Sequence, residues 1–139
     1  MHNKSSKRRG FTLAELMVVI VIIGLLVTVV GPNVLKYLTK GKWVRVKADI
    51  HTLDGAVTNY AIFNAGNFPD TMQLLVEKDA NGNAFLNRDT LPKDPWGNEY
   101  LYEPPGGGNK FRIYTYGADG AVGGEGDDAD YDNHMLRNE

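Results

Sequence analysis

The chain has 139 residues, a formal charge of -2 and no cysteine. That length favours one domain. The missing thiols exclude disulfide scaffolds, thiolate zinc sites and cysteine nucleophiles. A charged fraction of 23% is too ordinary for a disordered or nucleic-acid-coating polymer.

The charge is unevenly placed. Residues 1–10 hold Lys4, Lys7, Arg8 and Arg9 and no acid. Residues 16–35 hold no charge, and Lys36, Lys40, Lys42, Arg45 and Lys47 follow. Residues 119–132 hold six acids and no base. Without its first ten residues the chain carries -6, which argues against a nucleic-acid partner.

Leu16 to Val30 is apolar on every face, and with Gly31 to Leu35 it makes 20 uncharged residues. As helix that is about 30 Å, the thickness of a bilayer core. In lipid a lone segment satisfies its backbone only as a helix. A core helix is seldom apolar all round. A secretory signal would end in a small-residue cleavage site, and Gly31-Pro32-Asn33 is not one. The basic start predicts a cytoplasmic N-terminus and an exported remainder. Glu15 stands at the mouth of this stretch, either at the membrane interface or as partner to a cation.

Farther on, Trp43, Val46, Ile50, Leu53, Val57 and Tyr60 recur at spacings of three and four. They form one apolar helical stripe. The expectation is one long helix over about residues 12–63, kinked or loosened at Gly31-Pro32. His51 reads as a solvated helix residue, since no second histidine lies at ligand spacing. Met72 to Lys78 predicts a short helix capped by Asp70 or Thr71. Asp79 to Asn83 is a turn. Tyr100 to Tyr102 and Phe111 to Tyr116 predict two strands of a hairpin. Residues 68–139 are too few for a core alone, so the helical stripe supplies the second layer. The class is α+β, a long helix on a small antiparallel sheet.

The run Arg9-Gly10-Phe11-Thr12-Leu13-Ala14-Glu15 resembles the processing site of the type IV pilin-like family. The resemblance implies a cleaved leader (1–10), an apolar transmembrane and filament-core helix (11–35) and an exported domain (36–139). It implies cutting between Gly10 and Phe11 by a prepilin peptidase, then N-methylation of Phe11. Glu15 would neutralise the Phe11 amine of a neighbouring subunit and so set filament register. Leu53-Asp54-Gly55-Ala56-Val57, Phe68-Pro69, Asp94-Pro95-Trp96-Gly97 and Tyr116-Gly117-Ala118-Asp119-Gly120 resemble the major pseudopilins of type II secretion systems. His134 departs from that pattern, where tryptophan is common. The resemblance implies a homopolymeric periplasmic fibre that pushes folded proteins through an outer-membrane channel. Its expected partners are minor pseudopilins, an inner-membrane secretion platform and, before assembly, the phospholipid membrane.

Six clustered acids repel, and the glycines at 117, 120, 123, 124 and 126 leave the stretch free to turn. Calcium, with 6–8 oxygen ligands, suits such a loop; a solvated acidic tail is the alternative. The family resemblance implies a structural calcium ion. Carried over by position, Asp119, Asp128 and Asp130 give carboxylates, and Tyr116 and Ala121 give backbone carbonyls. Asp127 is the alternative to Asp128. Two rival functions are a type IV pilus subunit and a membrane-tethered hydrolase using the acids with a metal. No catalytic triad or phosphate loop supports an enzyme.

Overall fold

The computed structural model describes residues 10–108 and 110–138. Most of the predicted leader, residues 1–9, lies outside them. The chain divides into two units, Met1–Leu38 and Thr39–Glu139.

Helix α1 runs from Leu13 to Phe63 and stays helical through Gly31-Pro32, where a loosened turn is expected. Proline removes one backbone donor there, and one forgone hydrogen bond does not end the helix. Leu13–Gly31 is long and apolar enough to cross a membrane, and none of it is buried. The side chains from Leu16 to Val30 face outward on every side of the helix. The helix stops at Asn64-Ala65-Gly66, as the polar run predicts. Gly66, at φ +87°, closes its N–H onto the Ala61 carbonyl.

The second unit has its own core. Val46, Ile50, Leu53 and Val57 are fully buried, together with Leu75 and Ile113. Trp43 and Tyr60 end the stripe half-covered. Each buried aliphatic side chain contributes about 1.5–3 kcal/mol. The stripe thus carries the packing energy that residues 68–139 lack.

Three antiparallel strands lie in the order β1 (Leu101–Glu103), β2 (Arg112–Thr115), β3 (Tyr131–Asp132). Tyr102 faces Ile113, and Tyr114 faces Asp132. The predicted hairpin is therefore present, with its first strand one residue later than expected and its second trimmed by one residue at each end. Sequence reasoning missed β3 and the short helix α2 (Asn133–Leu136). Asp132 caps α2, with one carboxylate oxygen accepting from the His134 and Met135 amides.

Asn133 ties this tail down. Its Oδ1 accepts from the Ile113 amide at 3.0 Å, and its Nδ2 donates to Asp54 at 2.7 Å. Arg137 also reaches Asp54, at 2.9 Å. His134 places Nε2 3.1 Å from the carbonyl of Phe111, the residue just before the central strand β2, which fixes the departure from the family pattern against the sheet. Asp49, expected off the apolar stripe, is buried and accepts from the Tyr100 hydroxyl at 3.1 Å. Burial, then the Asp49 charge, pushes the Tyr100 hydroxyl up from its ordinary value. The predicted helix at 72–78 is a correction: only one 3-10 turn forms, Met72–Leu75, and Thr71 makes no side-chain cap. The Leu75 carbonyl accepts from the Leu86 amide at 2.7 Å, so it is taken by the incoming loop. His51 is exposed, as expected.

Candidate functional site

Two places concentrate chemistry, the head of α1 and the acidic loop. At the head, the Thr12 amide donates to Glu15 Oε2 at 2.9 Å. The Glu15 amide donates to Thr12 Oγ1 at 3.2 Å. This is a reciprocal capping box, which satisfies two donors that the first turn otherwise leaves open. It also places a negative charge at the positive end of the helix dipole. Gly10 and Phe11 precede it, both exposed. The capping partner Thr12 was not singled out by the sequence, although its Thr-x-x-Glu spacing is legible.

The acidic loop is anchored at both ends. Asp94, buried, accepts from the Trp96 and Asn98 amides through Oδ1 at 3.1 and 2.8 Å. Its other oxygen accepts from the Thr115 hydroxyl at 2.8 Å. Thr115 Oγ1 in turn accepts from the Gly117 amide, and Asn98 Nδ2 donates to the Gly117 carbonyl at 2.9 Å. The Asp-Pro-Trp-Gly run is thus a bracket for the start of the loop. At the far end the Ala118 amide donates to the Asp127 carbonyl at 2.8 Å. Gly117 sits at φ +74°, and a Cβ there would lie 2.5 Å from the Asp127 carbonyl oxygen. The loop closes on its own start, and only glycine fits at the closure.

The predicted ligands fall as follows. Asp119 is exposed, and its Oδ1 accepts from the Ala121 amide at 3.1 Å. Asp130 is half-buried; Oδ2 accepts from the Gly123 amide at 3.0 Å, while Oδ1 is buried without a partner. Asp128 is half-buried on a 3-10 turn, Gly126–Asp128. Tyr116 is half-buried and Ala121 exposed. Among the described residues, no group of three or more acidic or histidine side chains forms a ready metal cage. What the loop offers is hard oxygen, including two buried carboxylate oxygens that lack a donor, Oδ1 of Asp127 and Oδ1 of Asp130. Such an orphan is costly unless a donor or cation reaches it. The donor set, all oxygen and on an adaptable glycine-rich backbone, fits calcium in kind.

Asp127 behaves differently. Its Oδ2 lies 3.0 Å from Lys42 Nζ. The Lys42 hydrogen bond, with smaller help from Trp96 and Thr39, holds the Asp127 carboxyl below its ordinary value despite some desolvation. Trp43 Nε1 donates to the Gly126 carbonyl at 3.0 Å. The roles of Lys42, Trp43, Asp94, Asn98 and Thr115 were not foreseen. Lys42 read as one of a basic run and Trp43 as core.

Known proteins place this geometry. The family model described as type II secretion system, protein G matches residues 33–134. The model described as prokaryotic N-terminal methylation motif matches residues 5–31. The type II secretion system core protein G of Vibrio cholerae is 41% identical, over 96% of this chain and 97% of that protein. The core protein G of Pseudomonas aeruginosa is 38% identical, over 91% of this chain and 95% of that protein. A crystal structure of the major pseudopilin from the type 2 secretion system of enterohaemorrhagic Escherichia coli superposes with a TM-score of 0.58. The two share 27% identity over 76% of this chain and 96% of the pseudopilin. A methylation-type head, an apolar helix bare on every side, a small three-stranded sheet and these relatives over nearly the full length agree: the chain belongs to the protein G family of the type II secretion system, the pseudopilus subunits.

Proposed function

We propose that this chain is a precursor cut between Gly10 and Phe11 by a prepilin peptidase, N-methylated at Phe11 and polymerised through α1 into a periplasmic fibre. The fibre pushes folded proteins across the outer membrane. Before assembly the subunit sits in the inner membrane, N-terminus in the cytoplasm and second unit in the periplasm. Minor pseudopilins, the inner-membrane platform and the lipid itself are its other partners. The subunit is structural and does no covalent chemistry.

The observation that carries this reading is the apolar first half of α1, which the chain itself leaves uncovered. Lipid covers such a surface before assembly, and like helices cover it in a fibre. A heterologous contact that does not close on itself builds a filament. The experiment is genetic. Deleting the gene is expected to trap folded exoproteins in the periplasm, and the full chain restores their release. Normal secretion with loss of long surface fibres would instead favour the type IV pilus subunit.

We also propose that the acidic loop holds calcium through Asp119, Asp128 and Asp130 and the backbone carbonyls of Tyr116 and Ala121. The orphaned Asp130 oxygen supports this reading. The ion would supply positive charge that offsets the mutual repulsion of the acids. An ion at 100 times its dissociation constant stabilises by about 2.7 kcal/mol. For the full chain in detergent micelles that is a rise on the order of 10 °C in Tm over the chelated sample. Asp119→Ala should abolish the rise. An unchanged Tm would return the loop to a solvated acidic tail.

A further inference from the structure

The acidic loop meets α1 through Gly126 and Asp127, outside the proposed ligand set. Lys42 Nζ meets Asp127 Oδ2 at 3.0 Å and lies 5.7 Å from the centre of the Trp96 ring. Trp43 donates to the Gly126 carbonyl and meets Trp96 edge-on, with ring centres 5.1 Å apart. Trp43 also packs against Tyr131, the first residue after the loop, at 6.1 Å. The Trp96 indole N–H and Asp127 Oδ1 are buried, and the indole helps hold the Asp127 charge without closing a well-formed hydrogen bond onto it. These partners are 83 and 85 residues apart in sequence. They join the far part of the loop to the first turn of the compact second unit, which begins at Thr39.

We propose that Lys42 and Trp43 form a latch that makes the order of the acidic loop and of the α1 turn Thr39–Trp43 mutually dependent, with Asp127 as the catch and not as a cation ligand. Asp127 already has a cation, the Lys42 ammonium, on one oxygen. A metal that took Oδ2 would displace Lys42, and one on the open Oδ1 would stand close to the Lys42 ammonium, where like charges repel. Asp128 and Asp130 carry no such commitment to Lys42. Whatever orders residues 119–130 therefore pulls Gly126 and Asp127 onto α1, and whatever loosens the turn frees the loop. The latch stands on the contacts alone. Its control by calcium rests on the reading in the preceding subsection.

Hydrogen exchange on the full chain in detergent micelles tests it, with calcium chloride and with chelator. A half-exposed ion pair and an indole hydrogen bond together slow local opening by a few-fold to about tenfold. Asp127→Asn is expected to speed exchange in helix residues 42–47 about fivefold, a site it does not adjoin in sequence. Lys42→Met is expected to speed exchange in residues 118–130 by a similar factor. Lys40→Met, an equal charge change on the same helix, should move neither. Calcium should slow both segments in the unaltered chain but only the loop in Asp127→Asn. The chain has two tryptophans, both in the latch, so the shift in their emission on Lys42→Met gives an independent readout. The latch is overturned if each variant disturbs only its own segment, or if Lys40→Met does as much. Loss of all calcium protection in Asp127→Asn would make Asp127 a ligand and overturn its role as catch. If calcium protects nothing while the variants still act across the latch, the cation reading fails and the latch is supported.

Discussion

Gly117→Ala is expected to destabilise the second unit by about 2–4 kcal/mol, more than any neighbouring glycine substitution without a clash. Two costs add. An alanine at φ +74° is in the left-handed region, worth roughly 1–2 kcal/mol. Its Cβ would also stand 2.5 Å from the Asp127 carbonyl oxygen and 2.9 Å from that of Ala129. Both are backbone atoms, so no side-chain rotation relieves the clash. The loop must open, and the Ala118–Asp127 and Asn98–Gly117 hydrogen bonds go with it, at about 1 kcal/mol each. Gly120→Ala is the control. It shares a positive φ, +65°, but nothing lies within 4 Å of its Cβ. That variant should lose only the conformational term. Thermal melts of both in micelles check the argument, and equal losses would remove the close approach as the cause.

Much of this architecture is readable in the residues, for identifiable reasons. The apolar run marks its helix by length alone and the stripe from Trp43 to Tyr60 by its period, and together they outweigh a single breaker such as Pro32. Alternating aromatic residues marked β1 and β2. Strand β3 left no such mark. It is two residues long, and its place depends on Asn133 reaching Asp54, 79 positions back. The turn at Met72–Leu75 reads as helix because local propensity cannot see that the Leu86 amide takes the Leu75 carbonyl. In the loop, acidity and glycine content were legible. The commitment of Asp127 to Lys42 was not, because it joins residues 85 apart. The bracket built by Asp94 lay in plain view as Asp-Pro-Trp-Gly, yet only the folded chain brings Thr115 and Asn98 to it.

The second large effect concerns Glu15. In the single chain its carboxylate caps its own helix through the Thr12 amide. A carboxylate at the bilayer centre costs roughly 2.5–3.5 kcal/mol, and less at the interface. Removing it therefore does not impair insertion. In a bundle of apolar helices the same carboxylate is tolerated only beside a cation, and breaking such a buried pair costs about 3–5 kcal/mol. The Phe11 amine that processing would expose is the cation available at that depth. Glu15→Ala should insert at normal levels and assemble at least about tenfold less, since 1.4 kcal/mol already gives that factor. Glu15→Gln retains an acceptor for the Thr12 amide but not the charge. It separates capping from pairing, and it should fail to assemble as well.

The measurement that tests polymerisation most directly is the yield of cross-linked filaments from cells carrying the secretion apparatus. The unaltered chain should give a ladder of multimers, while Glu15→Ala and Glu15→Gln give membrane monomers in normal amount. Filaments from Glu15→Ala at the unaltered yield would contradict assembly through a charge-registered α1.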